Sequence, residues 1–429
     1  MIKRTAIDVA ASVSERIGCM RDYARSSSLL RVCTALLFSG FVAVGEEKES
    51  HSFFRDWDIT GFVEAETRFF QQSPLDPAQH SNVGFSFASQ PEFYREWSDG
   101  DYRFLGKPFY RYDLRDDQRS HFDLRDFYIQ HVADQWEWKA GVSKVFWGVT
   151  ESQHLIDVIN QVDFVENFDF EDRLGQPMVN LTRLSDYGTI DLFYLPYFRE
   201  RTFAGPDGRF RTIPSVDTDA AVYESSLRDW HPDAAIRWSH VLGAFDLGVY
   251  CFRGTSRDPI LEPIAGGTRL RPVYNLMHQV GLDVQWTHEA WLLKFEGLHR
   301  SGRGQQFQAF ATGYEYTFYQ LFGSNMDLGA LTEYHYDSRG TAALTPFNQD
   351  LFFGGRLTFN DEQDTAVLAG GFWDHDNDSA AIRLEFERRL GNSYTLEIEV
   401  QKFLQSAPTD LFRTFRRDSF AEISLRRYF

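Results

Sequence analysis

The sequence predicts an all-β fold: a transmembrane antiparallel up-and-down β-barrel of 18 strands, with 16 as the alternative count. Three observations predict it. From Trp57 onward, polar and apolar residues alternate with period two in segments of about 10–14 residues. Short joints rich in Gly, Asn, Asp and Ser alternate with longer ones. Aromatic residues make up 16% of the chain, yet its mean hydropathy is only -0.40. A wall that is greasy outside and wet inside averages to such a value.

The alternation is clear in "WDITGFVEAETRFF", which puts Ile59, Gly61, Val63 and Ala65 on one face and Thr60, Glu64, Glu66 and Arg68 on the other. "AFDLGVYCF", "NMDLGALTEYHYD", "DTAVLAGGFWD" and "YTLEIEVQKF" follow the same rule. The short joints are 98–101, 133–135, 185–188, 241–244, 288–290, 322–325, 360–363 and 391–393. The longer ones are 71–81, 114–120, 147–175, 199–231, 255–272, 301–305, 338–348, 375–378 and 405–416. Eight turns interleaved with nine loops give 18 strands. Segments 176–184 and 257–275 are poorly patterned, which leaves 16 as the second count. An even-stranded sheet with short turns at one end and long loops at the other closes without edges, as lipid requires. Trp57, Trp136, Trp286, Trp291 and Trp373 lie near strand ends, where interfacial belts form.

The first residues suggest export. After Met20 come Arg21, Arg25 and Arg31, then the apolar run "VCTALLFSGFVAV", then small residues ending at Gly45. This is the order of a signal peptide, with Met20 as the expected start and cleavage after Gly45. The apolar run is too short to span a bilayer as a helix. Residues 46–56 then form an N-terminal periplasmic segment and 57–429 the barrel. Six of 44 basic and three of 62 acidic residues fall in 1–45, leaving 38 and 59, a formal charge of -21. That balance excludes nucleic acid, whose binding needs clustered Lys and Arg. A single Cys251 remains, so no internal disulfide can form.

The terminal "DSFAEISLRRYF" ends on Phe429, with Leu425, Ile423 and Ala421 on its face. It resembles the carboxy-terminal signature of outer-membrane barrels, and Arg427 departs from that pattern. The resemblance implies recognition by the outer-membrane assembly machinery through Phe429. The stretches "AGVSKVFWGVTESQHLIDVINQVDFVENFDFEDRLGQPM", "LPYFRERTF", "YESSLRD", "GTSRDP", "DSRG" and "RLTFNDEQDT" resemble a sparsely characterised family of Gram-negative outer-membrane porin-like proteins. This implies residence in the outer membrane beside lipid and lipopolysaccharide. By analogy with porins of 16–18 strands, it also implies a homotrimer.

The segment 147–175 is the third outward loop. In general porins the third loop folds into the lumen, and the same is expected here. Its Leu155, Ile156, Val158, Ile159, Val162 and Phe164 are too apolar for a solvated loop, and their spacing predicts a short helix from 153 to 162. The acidic Asp157, Asp163, Glu166, Asp169, Glu171 and Asp172 are left for the lumen. Asp163, Glu166 and Asp169 could supply oxygens to Ca²⁺, although the spacing matches no loop of fixed geometry. On the wall, Arg103, Lys107 and Arg111 share one face, and Arg125 lies on the next strand. Charges facing lipid are costly, so that face should be the lumen. A basic wall opposite an acidic loop would set up a transverse field favouring zwitterionic or charged solutes. The alternative is structural ion pairing inside a large lumen. "FRERTF" (198–203) and "GRFR" (208–211) offer cations for lipopolysaccharide phosphates or an anionic solute.

The expected function is passage of small polar or charged solutes, with Asp157, Asp163, Glu166, Asp169, Glu171 and Asp172 facing Arg103, Lys107, Arg111 and Arg125. The alternative is an export or lipid-handling barrel with a periplasmic transport partner and an apolar path along Phe164, Phe168 and Phe170. No G-x-S-x-G, H-E-x-x-H or phosphate-cradling glycine loop occurs, so no enzyme and no cofactor are expected.

Overall fold

Eighteen strands pair antiparallel in chain order, and the last pairs with the first, closing the barrel. The computed structural model describes residues 56–429 apart from 304, 305, 344, 346, 377, 409 and 410. The expected signal peptide 1–45 and all of the 46–56 segment except Asp56 lie outside the described residues.

The first half of the wall is β1 (Asp58–Phe70), β2 (Val83–Trp97), β3 (Tyr102–Asp113), β4 (His121–Val132), β5 (Trp136–Ser143), β6 (Gln176–Ser185) and β7 (Gly188–Leu195). A short β8 (Val222–Tyr223) lies in the loop before β9 (Asp233–Leu242) and β10 (Phe245–Thr255). β11 (Ile260–Ile264) and β12 (Arg269–Tyr274) join β8 in a small separate sheet. The wall resumes with β13 (Leu276–His288), β14 (Trp291–Gly302), β15 (Phe307–Phe318), β16 (Asp327–Asp337) and β17 (Asp350–Thr358). It ends with β18 (Ala366–Asp374), β19 (Ala380–Leu390), β20 (Tyr394–Gln405) and β21 (Phe420–Tyr428).

The count is therefore 18, not 16. Of the two poorly patterned segments, 176–184 falls within wall strand β6, and 257–275 holds the β11–β12 hairpin outside the wall. Side chains alternate as the period of two requires. On β1, Glu64, Glu66 and Arg68 are buried inside, while Phe69 is exposed outside. Tyr110, Tyr112, Val249, Leu282, Leu293 and Leu384 likewise expose apolar surface on the outer face. Trp136, Trp291 and Trp373 are exposed at strand ends, whereas Trp57 and Trp286 are half-buried.

One irregularity positions the site. The β3–β4 register slips between Lys107 and Pro108, so that Arg125 is an extra residue on β4. Pro108 has no N–H to give the ladder, and a bulge is where sheets tolerate that. The slip resets the phase of β4. Asp123 and Arg125 are buried inside, and Asp126 is turned inward too, accepting from the Ser143 hydroxyl at 3.1 Å.

Candidate functional site: a loop laid across the lumen

Residues 144–175 join β5 to β6 and enter the barrel. Their apolar side chains have found a wall. Trp147, Ile156, Val158 and Ile159 pack with Met178, Phe193, Leu195, Ala235, Tyr250, Phe252 and Met277 of strands β6 to β13. Leu155 packs on Leu298, Phe307 and Ala309. Phe168 joins Phe70, Phe210, Phe403, Phe415 and Phe420. Burying each such side chain is worth about 1.5–3 kcal/mol, so the loop is held as firmly as a core segment.

The helix expected over 153–162 does not form; the segment runs as turns and bends. Carboxylates of the wall take the main-chain donors at 149–152, just before that segment, and that of Ile156 within it. Glu296 on β14 accepts from the N–H groups of Val149 (2.5 Å), Thr150 (2.8 Å) and Ile156 (3.1 Å), and from the Thr150 hydroxyl (2.8 Å). Glu333 on β16 accepts from the N–H groups of Glu151 (2.8 Å) and Ser152 (2.9 Å). Asp157 accepts from Trp147 N–H (2.6 Å) and Gly148 N–H (3.0 Å). The helical spacing of the apolar residues reflects packing on a concave wall.

The far limb is gripped by cations from the other side of the barrel. Asp163, fully buried, pairs with Arg125 at 2.6 Å. Glu166 pairs with Arg111 at 2.8 Å, and the Glu166 carbonyl accepts from Arg68 at 3.1 Å. Arg119 donates to the Val165 carbonyl at 3.0 Å. Burial alone would raise the Asp163 carboxyl; His121 and Arg125 outweigh it and hold it well below the usual carboxylate range. At the turn-back, Asp169 pairs with Arg383 of β19 at 2.8 Å. Glu171 meets His154 at 3.2 Å. Asp172 is raised to about 6 by burial and by the neighbouring Glu166. The loop returns to β6 through Gly175, where a Cβ would lie 2.0 Å from the Leu124 carbonyl, so the close approach to β4 needs glycine.

The six acidic residues of the loop thus separate by role. Asp163 and Glu166 are committed to Arg125 and Arg111, Asp157 to the loop's own backbone, and Asp169 to Arg383. Glu171 is the most exposed of those in ion pairs. Of the four wall cations named from sequence, Arg111 and Arg125 meet the loop. Lys107 pairs instead with Glu92 at 2.7 Å, and no hydrogen bond or ion pair joins Arg103 to the loop among the described residues. On β3 these positions are stacked along one face at about 3.4 Å per residue, so Arg103 sits roughly 27 Å along the strand from Arg111.

The cations on the wall opposite Arg111 and Arg125 were not singled out from sequence. Arg356 on β17 pairs with Glu151, which also lies 3.7 Å from Lys294. Arg383 serves three carboxylates, those of Asp169, Glu385 (2.6 Å) and Glu399 (3.3 Å). Their signal was present in the sequence, since Arg383 and Glu385 alternate with Ile382 and Leu384, but position across the lumen depends on closure. Glu64, Glu66 and Arg119 were likewise missed. With Arg68, Arg111 and the half-buried Arg426 they form a lattice in which Glu66 is shared by three arginines.

Of the three residues that could supply oxygens to Ca²⁺, Asp169 is engaged with Arg383. His121, Asp163 and Glu166 do bring ligand-type atoms within 4.8 Å of one another, with the guanidiniums of Arg125 and Arg111 already on the two carboxylates. The basic stretches of the fourth loop are also spoken for. Arg199 pairs with Asp123 (2.6 Å), Arg201 with Asp258 (2.8 Å), Arg209 with Asp418 (2.8 Å) and Arg211 with Asp76 (2.8 Å). The last three are buried, so these cations tie loops together and do not face phosphates outside.

A closed sheet with an apolar outer band and a charged interior leaves no backbone edge for lipid to solvate. The chain is a closed 18-strand antiparallel β-barrel. Neither a family model nor a curated protein matches it. Among solved structures, this barrel is similar to Pseudomonas aeruginosa OccK9 (OpdG), with 11% identity over 88% of this chain and 98% of that one, at a TM-score of 0.49. P. aeruginosa OccK3 (OpdO) shows 10% identity over 87% and 95%, at a TM-score of 0.47. OmpT of Vibrio cholerae, solved in a trimer form, shows 10% identity over 87% and 98%, at a TM-score of 0.43.

Proposed function

We propose that the protein is an outer-membrane channel of a Gram-negative bacterium for small polar or charged solutes, narrowed by the loop 144–175. One observation carries the reading: the loop is anchored to both sides of the lumen, by Glu296 and Glu333 on β14 and β16, and by Arg111 and Arg125 on β3 and β4. A segment so held subdivides the interior at a fixed height and leaves a passage along its free edge. Asp163 and Glu166, with Arg125 and Arg111, act as the anchor. Asp157, Asp169, Glu171 and Asp172 border the opening, which Arg383, Glu385 and Arg356 face from the wall. Arg103 and Lys107 line the lumen further toward the short turns. A fixed charged constriction selects by size and by charge.

The alternative reading, a lipid-handling barrel, needs an open apolar path. Phe168 is enclosed by five phenylalanines and cannot offer one. Purified protein in planar bilayers tests the proposal: discrete steps of ion current are expected, and no conductance at any voltage would refute it.

A further inference from the structure

Above the constriction, the loop and the wall strands β14 to β16 line a cavity of about 90 Å³ that opens to solvent. Two kinds of surface meet there. Leu155, Phe170, Leu298, Phe307 and Phe347 supply an apolar side, and Arg173, Arg300, Arg339, Asp157, Glu171 and Asp258 a charged one.

The charged groups are not equivalent. Arg300 is satisfied, donating to Asp258 at 2.8 Å and to Gln279 at 2.7 Å. Arg339 pairs with Asp337 at 2.6 Å and lies over the Phe307 ring at 3.6 Å. Arg173 differs. It is only 6% exposed, and among the described residues its Nε has no hydrogen-bond partner and no ion pair reaches its guanidinium. An arginine buried to that degree is normally paired, because taking a guanidinium out of water without an anion is costly. The backbone explains why it stays there. Arg173 bridges Val162 across the two limbs of the loop, and both side chains line the cavity. The loop fold therefore holds a buried cation at the cavity wall with no ion pair among the described residues, and a guanidinium is the side chain best suited to a carboxylate.

The same cavity argues against a multiply charged anion. Asp157 accepts two loop N–H bonds and has no direct ion pair among the described residues, and Glu171 is the most exposed ion-paired acid of the loop. Both would repel a second negative charge and attract an ammonium. We propose that this cavity is a binding site for small zwitterions with an apolar body, of the amino-acid type, with the solute carboxylate on Arg173 and its ammonium toward Asp157 and Glu171. The apolar body then lies against Phe170, Phe307 and Leu298. The proposal rests on the channel reading, in which the cavity is the vestibule before the constriction.

Isothermal titration of the detergent-solubilised full chain with L-phenylalanine, 3-phenylpropionate and phenethylamine tests it. Saturable binding of phenylalanine, tighter than that of either singly charged analogue, is expected. Arg173→Gln should weaken phenylalanine by about ten-fold or more, the loss of one charge-assisted pair. Glu171→Gln, at an exposed position, should weaken phenylalanine but leave 3-phenylpropionate unchanged. Equal affinity for phenylalanine and 3-phenylpropionate in the native protein overturns the proposal, as does unaltered binding in Arg173→Gln. If that variant fails to form a heat-modifiable barrel, Glu171→Gln and the analogue comparison decide. Bilayer current without phenylalanine binding refutes the site alone, whereas binding without current refutes the channel and leaves the site standing.

Discussion

Replacing Glu296 by Ala should unseat the near limb of the loop while leaving the barrel closed. The Glu296 carboxylate accepts three main-chain N–H bonds and one hydroxyl bond from the loop, and two of those N–H groups belong to Thr150 and Ile156, which are buried. A buried donor left without an acceptor costs about 1–3 kcal/mol, so the two together put the loss at roughly 2–6 kcal/mol. The charge-assisted bond from Val149 adds to this. No wall ladder bond involves the side chain, so the cost falls on loop seating. Against it stand Ile156, Val158 and Ile159 in their wall cluster and the far anchors at Asp163 and Glu166. The near limb should then sample an unseated state. In single-channel recordings Glu296→Ala should show a noisier open level and a larger mean conductance. Glu296→Gln, which keeps one acceptor oxygen, should fall between. Protease added to proteoliposomes should cut between 148 and 156 only in the variants. If Glu296→Ala gives a current trace and digestion pattern identical to the native protein, the carboxylate does not hold the loop, and the account of why no helix forms there fails with it.

Four further outcomes are expected. Arg125→Gln leaves the buried Asp163 without its 2.6 Å partner and should destabilise loop seating by about 3–5 kcal/mol; in a double-mutant cycle, Arg125→Gln with Asp163→Asn should cost less than the sum of the two single changes. Phe168→Ala removes the ring at the centre of a six-phenylalanine cluster and should lower the thermal midpoint of barrel unfolding by an amount equivalent to about 3–5 kcal/mol; an unchanged heat-modifiability profile would contradict the packing. Burial lowers the basicity of the loop residue His154, but the Glu171 bond and the Asp157 and Glu296 charges outweigh it and raise it to about 9. A raised histidine contributes to seating fully below about pH 6.5 and loses that contribution as pH climbs through 9. Open-channel noise should therefore grow between those limits, and Glu171→Gln should remove the step. Cys251 is exposed on the outer face of β10, so in proteoliposomes a bilayer-soluble maleimide should label it while a charged, impermeant one does not; equal labelling would mean that face is not in lipid.

The barrel was legible because closure imposes a strict period. The short joints at 98–101, 133–135 and 391–393 separate strands as their Gly, Asn and Asp content predicted. The entry of 144–175 into the lumen was legible for the same reason that its apolar residues looked out of place in a solvated loop. What failed was local periodicity inside that loop. Leu155, Val158, Ile159 and Val162 have helical spacing, yet Glu296 and Glu333, well over a hundred residues later, take the backbone donors of Val149 to Ser152 and of Ile156 around them. No window of sequence carries that information. The basic ladder was half legible. The shared face of Arg103, Lys107 and Arg111 could be read from alternation, but height along the strand decides which of them reaches the loop. Arg356 and Arg383 became visible only when the circle closed and brought late strands opposite the fifth.

The loop's anchors also constrain how the molecule comes into being. Strand β5 leads into the loop, and the loop's anchors lie on both sides of it in the chain: Arg111 and Arg125 precede it, while Glu296, Glu333 and Arg383 follow it. Neither half of the wall can therefore latch the loop alone: the far limb depends on β3 and β4, the near limb on β14 and β16, and the turn-back at Asp169 on β19. Seating of the loop thus reports that both halves of the wall are in place.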